Sequence, residues 1–247
     1  MERARGSAPS ERWVREERQE KPAPAPNGGA RQAGGRRTRP LPPEIGAELS
    51  QAVGPSRGSH LAKRLAEATR AYERDRYRDA VRIVKPLAEL APGSAAVREL
   101  YGLARYRLGH WNEAIRELEA FRSLSGSFDQ HPTLADCYRA KKRWRQVDEL
   151  WEELRAASPS PELVAEGRIV VAGALADRGR VAEAIAVLEA AKTDRRRPRE
   201  HHLRIWYALG DLYERAGELS RAREHFRRVV DFDADLYDTA ERLAGIG

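Results

Sequence analysis

Cysteine is almost absent from the sequence, since Cys137 is the only one among 247 residues. One cysteine excludes an internal disulfide framework and a zinc site built from clustered cysteines. No run of residues approaches the 18 apolar positions that a membrane span requires, and no apolar segment follows the N-terminus as in a secretory signal. We therefore expect a cytoplasmic protein that has no membrane partner.

Motifs for catalysis and for metal or nucleotide binding are also scarce. The six histidines form no i, i+4 pair and no Cys/His metal spacing, and no P-loop is present. Cys137 lies near His131, but its place in the repeat pattern suits a small apolar residue, so we interpret it as a core thiol. The sequence thus predicts no enzyme, no metal, no cofactor and no small-molecule substrate.

Acidic residues are missing from residues 21–43, where five basic residues lie among prolines and glycines. This segment carries +5 of the formal net charge of +7, so the rest of the chain is nearly balanced. It cannot bury enough apolar surface to offset its ordering entropy, and residues 1–43 are predicted to be a disordered, basic tail. The tail either contacts nucleic acid or an acidic partner, or serves only to keep the chain soluble.

Five segments of the remaining chain share one pattern of small and large residues. Each contains an Ala or Val with a small residue twelve positions earlier and apolar residues four and seven positions later, and successive segments lie 34, 33, 37 and 38 residues apart. Steps of three and four residues predict pairs of helices, and the small residues allow two backbones to approach closely. The small residues are Ala68, Gly102, Ala135, Ala172 and Gly210, and the Ala or Val residues are Ala80, Ala114, Val147, Ala184 and Ala222.

The fifth segment carries a family resemblance. It contains Trp206-x-x-Leu209-Gly210-x-x-Tyr213, which is followed by Ala222-x-x-x-Phe226. In residue type and spacing it resembles the tetratricopeptide repeat (TPR), and the chain is similar to small bacterial TPR proteins.

The other segments match the TPR pattern in part. Asp75 and Lys142 stand where the family prefers a turn glycine, and Pro86 lies inside the second helix of the first segment, where we expect a kink or an end. The resemblance implies an all-α, right-handed α-solenoid of about five helix pairs, with short capping helices and a disordered N-terminal tail. A short helix over 43–53 is predicted to cover the first pair.

The resemblance also implies the domain organisation. The tail covers residues 1–43, and a TPR-like solenoid domain covers residues 44–247. Its units lie near 61–94, 95–127, 128–161, 165–198 and 203–236, and residues 237–247 form a C-terminal cap.

In TPR proteins the first helix of each pair lines a concave groove, so the resemblance implies a non-enzymatic protein–protein adaptor. Its partner is an unknown protein or peptide segment. Tyrosine and arginine are enriched at binding hot spots and are the strongest candidates for contacts with it. The residues predicted to line the groove are Tyr72, Glu99, Leu103, Tyr106, Arg107, Asp136, Arg139, Tyr207 and Asp211.

Nucleic-acid binding is the alternative function. A loop between the fourth and fifth segments contains the sharpest charge cluster outside the tail, formed by Arg195, Arg196, Arg197 and Arg199. Loop and tail together would contact phosphates, and binding would then depend steeply on salt. The near-neutral charge of residues 44–247 favours the adaptor, and a solvated loop without a partner is the simpler interpretation of the cluster.

Overall fold

A computed structural model describes residues 41–246, so the predicted tail falls outside this range except for its last three residues. Within the range the chain forms twelve α-helices and no strand. The helices are α1 Pro43–Val53, α2 Pro55–Glu73, α3 Tyr77–Leu90, α4 Ala95–Arg107, α5 Trp111–Ser125, α6 His131–Ala140, α7 Trp144–Ala157, α8 Pro161–Asp177, α9 Val181–Glu189, α10 Glu200–Arg215, α11 Leu219–Val230 and α12 Thr239–Gly245.

Helices α2 to α11 pack as five consecutive pairs, each made of a first helix and a second helix. The second helix of each pair also contacts the helix that follows it in the chain, and the first helices contact one another in series. This serial packing is that of an α-solenoid, and the predicted fold class is confirmed. Helix α1 packs on α2 at one end and α12 packs on α11 at the other, as expected for capping helices.

The recurring spacing of small and large residues corresponds to close contacts inside the pairs. The Ala or Val at the centre of each repeat has no exposed surface. A Cβ atom built on Gly102 would lie 2.7 Å from the Leu118 side chain, and one on Gly210 would lie 2.5 Å from the Phe226 ring. The small residues are therefore needed because the second helix lies directly against the backbone of the first.

A left-handed turn residue joins the two helices of every pair. Asp75, Gly109, Lys142, Gly179 and Gly217 have φ values of 59°, 72°, 55°, 78° and 77°. Asp75 and Lys142 thus adopt the conformation that glycine adopts in the other pairs, at a cost of about 1–2 kcal/mol each. Of the two outcomes expected at Pro86, a kink or an end, the end does not occur, because α3 continues to Leu90.

The fourth pair departs from the others in the length of its second helix. Helix α9 has 9 residues, whereas α3, α5 and α7 have 14, 15 and 14. Residues 190–199 then form a loop, in which Asp194 Oδ1 accepts hydrogen bonds from the backbone N–H groups of Arg196 at 2.8 Å and Arg197 at 3.1 Å. Trp206 Nε1 donates to Thr193 Oγ1 at 3.3 Å and ties this loop to α10.

Candidate functional site

The candidate groove residues lie on the first helices α2, α4, α6 and α10, and most of their polar side chains bond to residues about one repeat away in the chain. Arg204, a further residue of α10, likewise pairs with Glu166 on α8 at 2.7 Å. Such bridges join neighbouring first helices and hold their side chains in fixed positions. We call this strip of bridged side chains the first-helix face.

The centre of the first-helix face is a network across α4, α6 and α8. Tyr106 Oη donates to Asp136 Oδ2 at 2.7 Å, and Arg139 Nη1 lies 3.3 Å from Asp136 Oδ1. Arg139 Nε donates to Asp177 Oδ2 at 2.6 Å. A Cβ atom on Gly173 would lie 2.9 Å from the Arg139 guanidinium, so this group rests directly on the α8 backbone. The side chains of Asp136 and Arg139 keep 26% and 29% of their surface exposed, so the network is accessible from solvent.

Leu103 and Tyr106 lie deeper than the sequence analysis places them, since each keeps only 7% of its surface exposed. The Tyr106 ring packs edge-on against Trp111 with centroids 5.6 Å apart. Burial, and then the neighbouring Asp136 carboxylate, raise the pKa of Tyr106 well above its usual range. A first helix has neighbours on several sides, which cover side chains that would be free on a single amphipathic helix.

Near its N-terminal end, the first-helix face contains Tyr72 and Arg107. The Arg107 guanidinium lies 4.5 Å from the centre of the Tyr77 ring and 3.6 Å from the Asp75 carboxylate. The Tyr72 ring packs edge-on against Tyr77, and burial raises the pKa of Tyr72 although Arg107 acts to lower it. This arrangement is an aromatic and cationic cluster.

Glu99 belongs to the same strip and is half-buried. It accepts a hydrogen bond at 2.9 Å from Nε2 of Gln130, the residue that precedes α6. Burial raises the pKa of Glu99, and the bond from Gln130 acts in the opposite direction. Gln130 thereby links α4 to the start of α6.

At the C-terminal end, the capping helix engages the two remaining candidates. Tyr207 Oη donates to Asp238 Oδ1 at 2.6 Å, and Arg242 Nη2 lies 2.9 Å from Asp211 Oδ1. Burial acts to lower the pKa of Arg242, but Asp211, Glu214 and Tyr207 outweigh it and the pKa is raised. Tyr207 and Asp211 are therefore already satisfied by the cap.

Sequence reasoning missed the buried ion pair of Glu166 with Arg204. Glu166 is 7% exposed, and burial raises its pKa to about 7 although Arg204 acts to lower it. In the sequence this glutamate resembles any solvated helix residue. The signal that was available is the separation of 38 residues from Arg204, which is close to one repeat.

The basic loop does not form one continuous cationic cluster. Arg195, Arg196 and Arg197 are exposed and form no ion pair with an acid of residues 41–246. Arg199 differs, because its Nη1 atom lies 3.1 Å from Glu162 on α8.

Cys137 is fully buried, as the repeat pattern suggested. Burial raises the pKa of its thiol well above the usual range, so the thiolate that a nucleophile needs is disfavoured. His131 Nε2 instead lies 3.2 Å from the Glu153 carboxylate. In the described part of the chain, no group of three or more histidine, cysteine or acidic side chains is placed to hold a metal ion. Across residues 41–246, no helix has both the length and the hydrophobicity to cross a bilayer.

Comparison with known proteins agrees with this geometry. A family model described as tetratricopeptide repeat matches residues 65–126 and 194–237. The chain contains tetratricopeptide (TPR) repeats. TPR proteins are generally non-enzymatic scaffolds, so the fold supports a role in protein–protein interaction. No curated protein matches the sequence.

Solved TPR structures share the fold. TTC0263, a thermophilic TPR protein of Thermus thermophilus, superimposes with a TM-score of 0.57 at 17% identity, over 75% of this chain and 98% of that one. A putative kinesin light chain from Podosopora anserina with nearly identical TPR-like repeats gives 0.56 at 18% identity, over 72% and 98%. At such low identity the likeness concerns the fold alone.

Proposed function

We propose that this TPR protein is an adaptor that binds a peptide or protein segment along its first-helix face. One observation carries the proposal: the network of Tyr106, Asp136, Arg139 and Asp177 crosses three consecutive first helices and remains partly exposed. A cytoplasmic setting suits an adaptor whose one thiol is buried and free.

The chemistry of the network favours a charged, polar partner segment. Arg139 has a planar guanidinium that is suited to carboxylates, and Asp136 and Asp177 accept hydrogen bonds from basic groups. Because the bridges already hold these side chains in place, binding loses less conformational entropy than it would on a mobile surface. The alternating charges then set the register of the bound segment.

A peptide selected from a random display library against the whole chain tests this proposal. We expect Arg139→Ala to weaken binding about tenfold or more, since it removes a charge-assisted contact. Arg145→Ala is the matched control, because Arg145 is 87% exposed on the second helix α7 and should not contact the peptide. Circular dichroism should show equal helical content in both variants, and equal affinities would contradict the proposal.

The second candidate function is nucleic-acid binding. The exposure of Arg195, Arg196 and Arg197 without acidic partners in residues 41–246 favours it. It requires that a labelled single-stranded oligonucleotide bind with a steep salt dependence, and that deleting residues 1–43 weaken that binding. An affinity that is insensitive to salt and to the deletion would exclude it.

A further inference from the structure

A cavity of about 330 Å³ opens beside the short helix α9, between α10 and α11. Ile205, Leu209 and Tyr213 of α10 line it. Each of these three residues is two positions along the sequence from Tyr207 or Asp211, which corresponds to a rotation of about 200° around the helix. The cavity is therefore on the side of α10 opposite the first-helix face.

The shortness of α9 explains the cavity. Position 191 corresponds to Leu87, Phe121, Leu154 and Val229 in the other pairs, which are all buried. Ala191 is only half-buried, lies beyond the last residue of α9 and lines the cavity. The missing turns and the missing large side chain leave space that loop residues 190–199 do not fill.

The floor of the cavity is apolar and its rim is charged. Leu188, Ile205, Trp206 and Leu209 form the floor, and none of them is more than 4% exposed. The rim carries three arginines and two glutamates, and thus one net positive charge: Arg195, Arg221, Arg228, Glu189 and Glu224.

Two polar groups at the rim have no partner in the described residues. Arg221 pairs with Glu218 at 3.1 Å and Arg228 pairs with Glu224, but Arg195 forms no ion pair with a carboxylate of residues 41–246. The buried Nδ1 atom of His225 likewise makes no hydrogen bond. Burial, and next the nearby Arg228, lower the pKa of His225 to about 4, so its neutral ring carries one N–H group at pH 7.

We propose that this cavity binds a small amphipathic organic anion, with its apolar body on the floor and its carboxylate against Arg195 and His225. The volume lies in the range of small-molecule sites, and an apolar floor with a few polar groups is typical of them. A carboxylate would supply the partner that Arg195 lacks, in a charge-assisted hydrogen bond. This site is independent of the proposed adaptor function, because it uses the opposite side of α10.

Titration of the ¹⁵N-labelled whole chain with 4-phenylbutyrate tests the site, with the neutral 4-phenylbutanamide as the matched ligand. We expect saturable amide shifts in α9, α10, α11 and loop 190–199, with the amide binding about tenfold more weakly because it lacks the charge. No saturable binding of 4-phenylbutyrate up to about 10 mM would overturn the proposal, as would equal affinity for the two compounds.

Single-residue variants test where in the cavity the anion binds. Arg195→Gln should reduce the affinity for 4-phenylbutyrate about tenfold, whereas Arg196→Gln, on the same loop but outside the cavity, should leave it unchanged. Ala191→Leu should lower the affinity for both 4-phenylbutyrate and 4-phenylbutanamide, because the larger side chain fills part of the cavity. Both arginines are exposed, so neither glutamine variant should alter the fold. Equal losses from the two glutamine variants would contradict a site at Arg195.

Discussion

The second and fourth pairs share one residue pattern but differ at the far end of the second helix. Helix α5 has 15 residues and buries Phe121 to 5% exposure, whereas α9 has 9 residues and leaves Ala191 beside a cavity. The central alanine of the repeat, Ala114 in the second pair and Ala184 in the fourth, is fully buried in both pairs. The nesting of two helices therefore depends on the first half of the second helix, and the far end is free to vary.

The largest effect on stability should come from changing the side chain that lies seven residues after the central Ala or Val of a repeat. Phe121→Ala removes a buried ring, and we expect a loss of about 3–5 kcal/mol in the free energy of unfolding. Ala191→Leu adds a side chain beside open space, and we expect a change below about 1 kcal/mol. Urea unfolding measures both, and an equal loss in the two variants would contradict the contrast between the pairs.

Gly102→Ala tests the close approach that both pairs are expected to share. Alanine gains about 1 kcal/mol in helix propensity, but its Cβ would lie 2.7 Å from Leu118. Overpacking costs about 1–3 kcal/mol, so we expect a net loss of about 1 kcal/mol in the free energy of unfolding. Gly46→Ala on α1 is the control, because nothing lies within 4 Å of its added Cβ and it should stabilise the chain. Stabilisation by both variants would rule out steric contact at Gly102.

The turns should not distinguish the pairs. Gly109 and Gly179 have φ values of 72° and 78°, so Gly109→Ala and Gly179→Ala should each cost about 1 kcal/mol, measured as a lower midpoint of thermal unfolding. Lys142→Ala should be nearly neutral, because this turn already has a side chain at positive φ. A much smaller cost in the fourth pair would mean that the divergence begins at the turn and not at the end of α9.

The pH dependence of stability should include a small contribution from His225, beside the cavity. Burial lowers its pKa from 6.5 to about 4 in the folded chain, so the unfolded chain binds more protons between these pH values. The contribution of His225 to the free energy of unfolding is therefore fully present above pH 6.5 and is lost as the pH decreases towards 4. After allowance for solvent screening we expect about 1 kcal/mol.

His225→Gln isolates that contribution when urea unfolding is repeated across this pH range. The variant should show a flatter decline in stability than the original chain. His60→Gln, which changes an exposed histidine on α2, is the control and should leave the decline unaltered. Identical slopes for all three chains would exclude the contribution of His225.

The sequence was sufficient to predict the solenoid because the recurring small and large residues of its repeats reflect contacts between neighbouring helices. Ala80 and Val84, for example, are one helical turn apart and face the same neighbouring helix, so their sizes record that contact. The early end of α9 was not predicted. Ala190 and Ala191 are favourable helix residues, and the only sign was a small side chain where other repeats have a large one.

The first-helix face was predicted only in part. Helical spacing places Arg139 and Asp136 on one side of α6, and this position follows from the sequence. Their bonds to Asp177 and Tyr106 depend on how neighbouring first helices are inclined, which no local pattern records. For the same reason the engagement of Tyr207 by Asp238 of the cap, 31 residues away, could not be anticipated.

Mapping a bound peptide by amide chemical shifts tests the central claim most directly. A display-selected peptide that binds the whole ¹⁵N-labelled chain should shift amides of α4, α6 and α8, with the largest changes around Arg139 and Gly173. Shifts confined to the second helices α5, α7 and α9, with the first helices unchanged, would contradict an adaptor that binds through its first-helix face.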